Sequence, residues 1–137
     1  MSSFKIFDIA GSGMSAQSVR LNTIASNLAN ADSVSGDPNS VYRARHPVFQ
    51  AVMGTPGDLS TAQVNVTGIA QSQASPETRY DPGNPLADAQ GNVYAPNVNV
   101  VEEMADMISA SRSYQNNVEV LNTSRDMMLA TLKLGQS

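Results

Sequence analysis

VVEEMADMISASRSYQNNVEVLNTSRDMMLATLKL, Val100–Leu134, is the stretch on which the fold turns. Met104, Ser111, Val118, Arg125 and Leu132 stand seven apart, interleaved with Met107, Tyr114, Leu121 and Met128. That a/d repeat predicts a helix with a packing seam, blemished but not broken by Ser111 and Arg125. The ends are marked as well. Asn99 offers an N-cap with Glu102 three residues on, a relative of the capping box. Glu102, Glu103 and Asp106 complement the positive end of the helix dipole, Lys133 lies at the negative end, and Gly135 follows.

A matching pattern opens the chain, from about Phe4 to Ala31. Phe7, Met14, Leu21 and Leu28 recur every seventh residue, with Ala10, Ile24 and Ala31 three residues later and Gln17 as the one polar lapse. Gly11 and Gly13 weaken this helix by roughly 1 kcal/mol each relative to Ala, so tertiary contacts must hold it. At 1.5 Å per residue the two helices would run about 40 Å and 50 Å. Pairing them closes a loop of roughly 70 residues, which costs about 4 kcal/mol in closure entropy. Ile6, Ile9 and Val19 on the first helix fall off the seam, as do Ile108, Val120, Met127, Leu129 and Leu134 on the second. Burying such a side chain is worth about 1.5–3 kcal/mol, so these residues ask for a second surface. Either neighbouring subunits or the middle of the same chain can provide it, and periodicity does not choose. Ala10, Gly11, Ser12, Gly13, Ser15, Ala16, Ala25 and Ala29 would let helices approach closely.

The middle reads differently. Asp32 to Ser40 is loop by composition, and Val41 to Val52 is extended, with Pro47 confining it to a sheet edge. Gly54 to Gly57 reads as a turn ahead of a short strand through Val64, Val66 and Ile69. Asp81-Pro82-Gly83-Asn84-Pro85 and Gln90-Gly91-Asn92 are further turns, the second leading into Val93-Tyr94. The expected fold is mainly α: long N- and C-terminal helices packed as an antiparallel coiled-coil-like pair, with a small central β-hairpin and loop element. Residues 1–31 and 98–137 would form one helical assembly domain, and 32–97 a central insertion.

Bulk chemistry excludes much else. The 137 residues suit one domain, yet only 15% are charged and 5% aromatic, with no Trp. Net charge is −4, and the eight Lys and Arg residues are scattered, which argues against nucleic-acid binding. No run of about 18 apolar residues offers a membrane span, and Asp8 interrupts the only candidate for a leader, so no cleaved signal is expected. Cysteine is absent, which removes disulfides and thiol chemistry. His46 is the one histidine and has no triad around it; Asp32, Asp37 and Asn39 lack calcium-loop spacing. No catalytic residue, cofactor or metal is expected. Arg43 and Arg45 read equally as solvated loop charge or as partners for a neighbour's carboxylates.

Ser12-Gly13-Met14-Ser15-Ala16-Gln17 through Asn27-Leu28-Ala29-Asn30-Ala31 resembles the N-terminal signature of flagellar axial proteins, the rod, hook and hook-associated subunits. Tyr42-Arg43-Ala44-Arg45, Pro96 through Met104, and Ser113-Tyr114-Gln115-Asn116-Asn117 are similar to the proximal-rod members of that family. The resemblance implies a structural subunit, not an enzyme, with other copies of itself, other rod proteins and the flagellar type III export apparatus as partners. It implies a place in the basal-body rod across the periplasm, and torque transmission from motor to hook. Assembly is then expected through Phe7, Met14, Leu21, Ile24, Leu28, Met104, Met107, Ile108, Tyr114, Val118, Leu121, Met128 and Leu132. Two competing readings are a cell-wall glycan enzyme using Glu102 and Glu103, and a secreted helical-hairpin component of a related injection system.

Overall fold

A computed structural model describes residues 3–54 and 61–135, with Ser3 and Phe4 described by backbone only. Of the expected Gly54–Gly57 turn, all but Gly54 lies outside the described residues. The elements run α1 (Ser3–Ala29), β1 (Arg45–Met53), β2 (Ala62–Gln71), β3 (Glu77–Tyr80), β4 (Asn92–Ala95) and α2 (Val100–Leu134). The chain is therefore mainly helical with a central β element, although that element is two antiparallel hairpins where sequence suggested one.

α2 starts where its cap places it. The Asn99 side chain accepts hydrogen bonds from the backbone N–H groups of Val101 (3.1 Å) and Glu102 (3.3 Å). Gly135 closes the other end, its N–H bonding to the carbonyl of Thr131 at 3.1 Å. α1 stops at Ala29, two residues short of expectation, because Asn30 turns its side-chain amide back to the Ser26 carbonyl (2.8 Å). A tight turn through Ala31 and Ser33 follows.

The hairpin β1–β2 runs in register from Arg45 opposite Gln71 to Met53 opposite Ala62. Val48 faces Gly68 while Phe49 faces Val66, so Thr67 is an extra residue that bends the ribbon. Pro47, which cannot donate to a ladder, is tolerated because a two-stranded sheet consists of edges. This ribbon lies against α1; the Val64 N–H donates to the Ser12 hydroxyl at 3.1 Å.

The second hairpin pairs Glu77–Tyr80 with Asn92–Ala95. Glu-Thr-Arg-Tyr shows no alternation of polar and apolar residues, which is why sequence gave no sign of β3; its partner carries the buried Val93 and Ala95. Gly91 sits at φ +81°, the left-handed region its turn requires. Asp88 ties this turn down, accepting from the Gln90 and Asn92 N–H groups (2.9 and 2.8 Å) and from the Tyr94 hydroxyl (3.1 Å). The Asn92 N–H above all holds the Asp88 carboxyl below its ordinary value, and the bond to Asp88 pushes the Tyr94 phenol up. On its far side β4 pairs with Ser35, which draws the 33–40 loop onto the body.

The core is built from small side chains: Ala10, Ala16, Ile24, Val41, Ala44, Val93, Ala95 and Ala110 are buried. Close approach of backbones replaces bulk, as expected of a chain so short of aromatic residues.

Candidate assembly interface

The two helices pack side by side. Asn27 meets Glu103, and fourteen residues back along α1 Gly13 meets Asn117, fourteen residues on along α2. That register makes the pair antiparallel. Carried further, it sets Ser3 near Met127 and leaves about two turns of α2 beyond the start of α1.

The surface between them is unexpectedly polar. Arg20 pairs with Asp106 at 2.8 Å, half-exposed and so worth at most about 1 kcal/mol. The Gln17 Oε1 is buried without a hydrogen-bond partner among the described residues. A Cβ at Gly13 would stand 2.9 Å from the Asn117 side-chain nitrogen, so α2 packs close against this glycine.

Asn27 is the hub of this region. Fully buried, its Nδ2 donates to a Glu103 carboxylate oxygen (2.7 Å) and to the Arg45 carbonyl (2.9 Å). Its Oδ1 accepts from the Tyr42 hydroxyl (2.8 Å) and the Arg45 N–H (2.9 Å). One amide thus uses all four of its hydrogen-bonding positions to join α1, α2 and the entry to β1. Sequence reasoning quoted Asn27 within a motif but gave it no work. Its placing three residues after Ile24, on the inward face, was the available signal. It also read Glu102 and Glu103 alike as dipole charge. Glu103 is buried on Asn27 while Glu102 is exposed, so the two do not converge on one cleft.

The residues expected on the helix seams separate into two groups. Phe7, Met14, Leu21 and Leu28 are half-buried and Ile24 is buried; Met107, Tyr114, Val118, Leu121 and Met128 are half-buried. Met104 (55% exposed) and Leu132 (63%) stand outside, as does Ile108 (57%), expected to assemble from off the seam. The companion line to Met107, Tyr114, Leu121 and Met128 is Glu103, Ala110, Asn117 and Ser124, one residue earlier than hydropathy suggested. Hydropathy selects the largest apolar side chains, whereas the closest approach of the helices selects small or hydrogen-bonding ones. Within the motif, Asn27 is buried, Leu28, Asn30 and Ala31 are half-buried and Ala29 is exposed.

Among off-seam residues, Ile6, Ile9 and Val19 on α1 are half-buried, on the helix against which the β1–β2 ribbon packs. On α2, Ile108, Val120, Met127, Leu129 and Leu134 stay exposed, together with Val101, Met104 and Leu132. Among the described residues, the middle of the chain partly covers α1 and leaves these α2 side chains exposed. Among the described residues no cluster of His, Cys, Asp or Glu could hold a metal, and no helix is long and apolar enough to cross a membrane.

This architecture has many relatives. Residues 7–36 match the family described as flagella basal body rod protein, and residues 89–134 match the flagellar basal body rod FlgEFG protein C-terminal family. The flagellar basal-body rod protein FlgC of Escherichia coli O157:H7 is 59% identical over 136 residues, covering 99% of this chain and all of the relative. FlgC of Salmonella typhimurium is 58% identical with the same coverage, and that of Agrobacterium fabrum 40% identical over 127 residues, 92% of this chain and 90% of the relative. Identity at this level runs through both helices and the hairpins between them, and the chain belongs to the FlgC family of flagellar basal-body rod proteins.

Proposed function

We propose that this chain is a structural subunit of the flagellar basal-body rod, built into the axial tube by its two helices. The full-length similarity to rod proteins supports the role, and it speaks against an enzyme. The exposed apolar side chains of α2 are the observation that carries the mechanism. Each of those side chains is already partly covered, so a neighbour that buries the rest adds about 1–2 kcal/mol. Residues 1–31 and 98–137 act as one assembly domain whose helices join a coiled-coil-like layer, with 32–97 as an insertion between them. Subunits pass unfolded through the flagellar type III apparatus, and order is completed by burial against other copies and other rod proteins. Placed in the proximal rod across the periplasm, the assembled helices transmit torque from motor to hook.

The two helices contribute differently to this assembly. Met104, Ile108 and Leu132 meet neighbouring subunits directly. Phe7, Met14, Leu21, Ile24, Leu28, Met107, Tyr114, Val118, Leu121 and Met128 hold the pair in the shape that presents them. Amide hydrogen exchange tests this, comparing the purified chain with the same chain in isolated basal bodies. Protection along Val100–Leu134 is expected to rise strongly in the rod. Equal protection in both states would show a self-contained helical hairpin and sink the coupled-folding mechanism.

A further inference from the structure

Beside the Asn27 hub lies a cavity of about 500 Å³, whose walls include Asn30, Ser33, Ser35, Ser40, Arg43 and Arg45. No Asp or Glu lines it. The Arg45 backbone is held in place before anything binds, while its side chain is exposed. Its backbone N–H and carbonyl are both fixed by the Asn27 amide. Its guanidinium carbon lies 5.4 Å from the centroid of the Tyr42 ring, and that ring is itself anchored by its hydroxyl to Asn27. Yet the guanidinium donates to no acceptor among the described residues. Arg43, two positions back in extended chain, reaches only the Ala74 carbonyl, at 3.5 Å. Two arginines therefore line one polar cavity, one of them stacked near the Tyr42 ring with its guanidinium N–H groups unused among the described residues.

We propose that this cavity is a docking site for a carboxylate side chain on an acidic segment of another polypeptide. A guanidinium fork matches a carboxylate in bidentate geometry, and stacking near the Tyr42 ring limits the orientations it samples. The short hydroxyls and amides around it suit the peptide groups flanking that carboxylate. The partially negative C-terminal end of α1, beside Asn30 in the cavity wall, opposes any anion, and a doubly charged phosphate about twice as strongly as a carboxylate. Carboxylates are plentiful on chains of this kind. Twelve Asp and Glu face eight Lys and Arg here, and among the described residues only Asp106 and Asp126 are in ion pairs.

The test is an NMR titration of the purified chain with hexaglutamate, with hexaglutamine, inorganic phosphate and N-acetylmuramic acid as comparison probes. Hexaglutamate should saturably shift the Arg45 Nε–H signal and the backbone amides of residues 33–43. R45Q should weaken it about tenfold and R45K less, while R112Q on the far helix leaves it unchanged. Equal shifts with hexaglutamine, unchanged affinity in R45Q, or tighter binding of phosphate or the muramic acid would overturn the proposal. A second measurement does not depend on the isolated chain being folded, though it does rest on the rod reading. Phenylglyoxal applied to isolated basal bodies should modify Arg45 at least about tenfold more slowly than in the same chain unfolded. Equal modification rates overturn the site even where rod incorporation is normal.

Discussion

α1 has neighbours on two sides and α2 on one. Against α1 lie the β1–β2 ribbon and α2, and its off-seam Ile6, Ile9 and Val19 end half-buried. α2 is longer, 35 residues against 27, packs mainly on α1 among the described elements, and keeps Met127 and Leu134 67% and 78% exposed. The polar seam sharpens the difference. Asn27, Gln17 and Arg20 face Glu103, Asp106 and Asn117 across a contact that fixes register more than it supplies burial. A polar interface tells the helices where to sit and leaves apolar side chains of α2 exposed. The largest effect should come from removing what joins the two helices. Asn27→Ala strands the Glu103 carboxylate, the Tyr42 hydroxyl and the Arg45 backbone groups together, and should destabilise the chain by about 3 kcal/mol or more. Asn30→Ala, which loses one bond to Ser26 at a helix end, should cost less than about 1 kcal/mol. Urea unfolding followed by far-UV circular dichroism checks both. Equal small losses would mean that the hub does not couple the helices.

A smaller effect separates the two faces of α1. Nothing lies within 4 Å of a Cβ built on Gly11, whereas one on Gly13 reaches 2.9 Å from Asn117. Gly11→Ala should therefore stabilise by up to about 1 kcal/mol through helix propensity. Gly13→Leu should destabilise by about 1–3 kcal/mol by forcing the helices apart. Melting temperatures of the two variants should move in opposite directions; movement the same way would place α2 on the wrong face of α1. Next in size is Asn99→Ala, which removes the cap of α2 and should cost about 1 kcal/mol, read as faster amide exchange at Val101 and Glu102.

How much of this was legible depended on whether the signal was periodic or relational. Both helices were readable because their heptads and caps are local, and the Asn99 cap and the Pro47 edge position fall where local rules put them. β3 was not, because Glu77–Tyr80 becomes a strand only through its partner, with all four of its own residues exposed. The inner line of α2 was missed by one residue because Glu103 and Asn117 look like surface residues until their partners on α1 are known. Asn27, Tyr42, Arg45 and Glu103 each look ordinary in sequence. Their meaning lies in a convergence across 76 residues that no window contains.

The smallest effect on the isolated chain is expected where the sequence is most apolar. Ile108→Ser, Val120→Ser and Met127→Ser replace side chains that already face water, so each should change chain stability by no more than about 0.5 kcal/mol. The same substitutions remove surface that a neighbour would bury, at about 1–2 kcal/mol each, so the triple variant should fail to enter rods and abolish swimming. Soft-agar motility and immunoblots of isolated basal bodies read that arm, and urea unfolding reads the other. Normal rods from the triple variant would mean that the bare face of α2 is not an assembly surface. A large loss of chain stability would mean instead that the face is covered within the monomer. The combination of an unaffected chain and an absent rod is what the one-sided packing of α2 requires, because only then does its apolar face act between molecules and not within one.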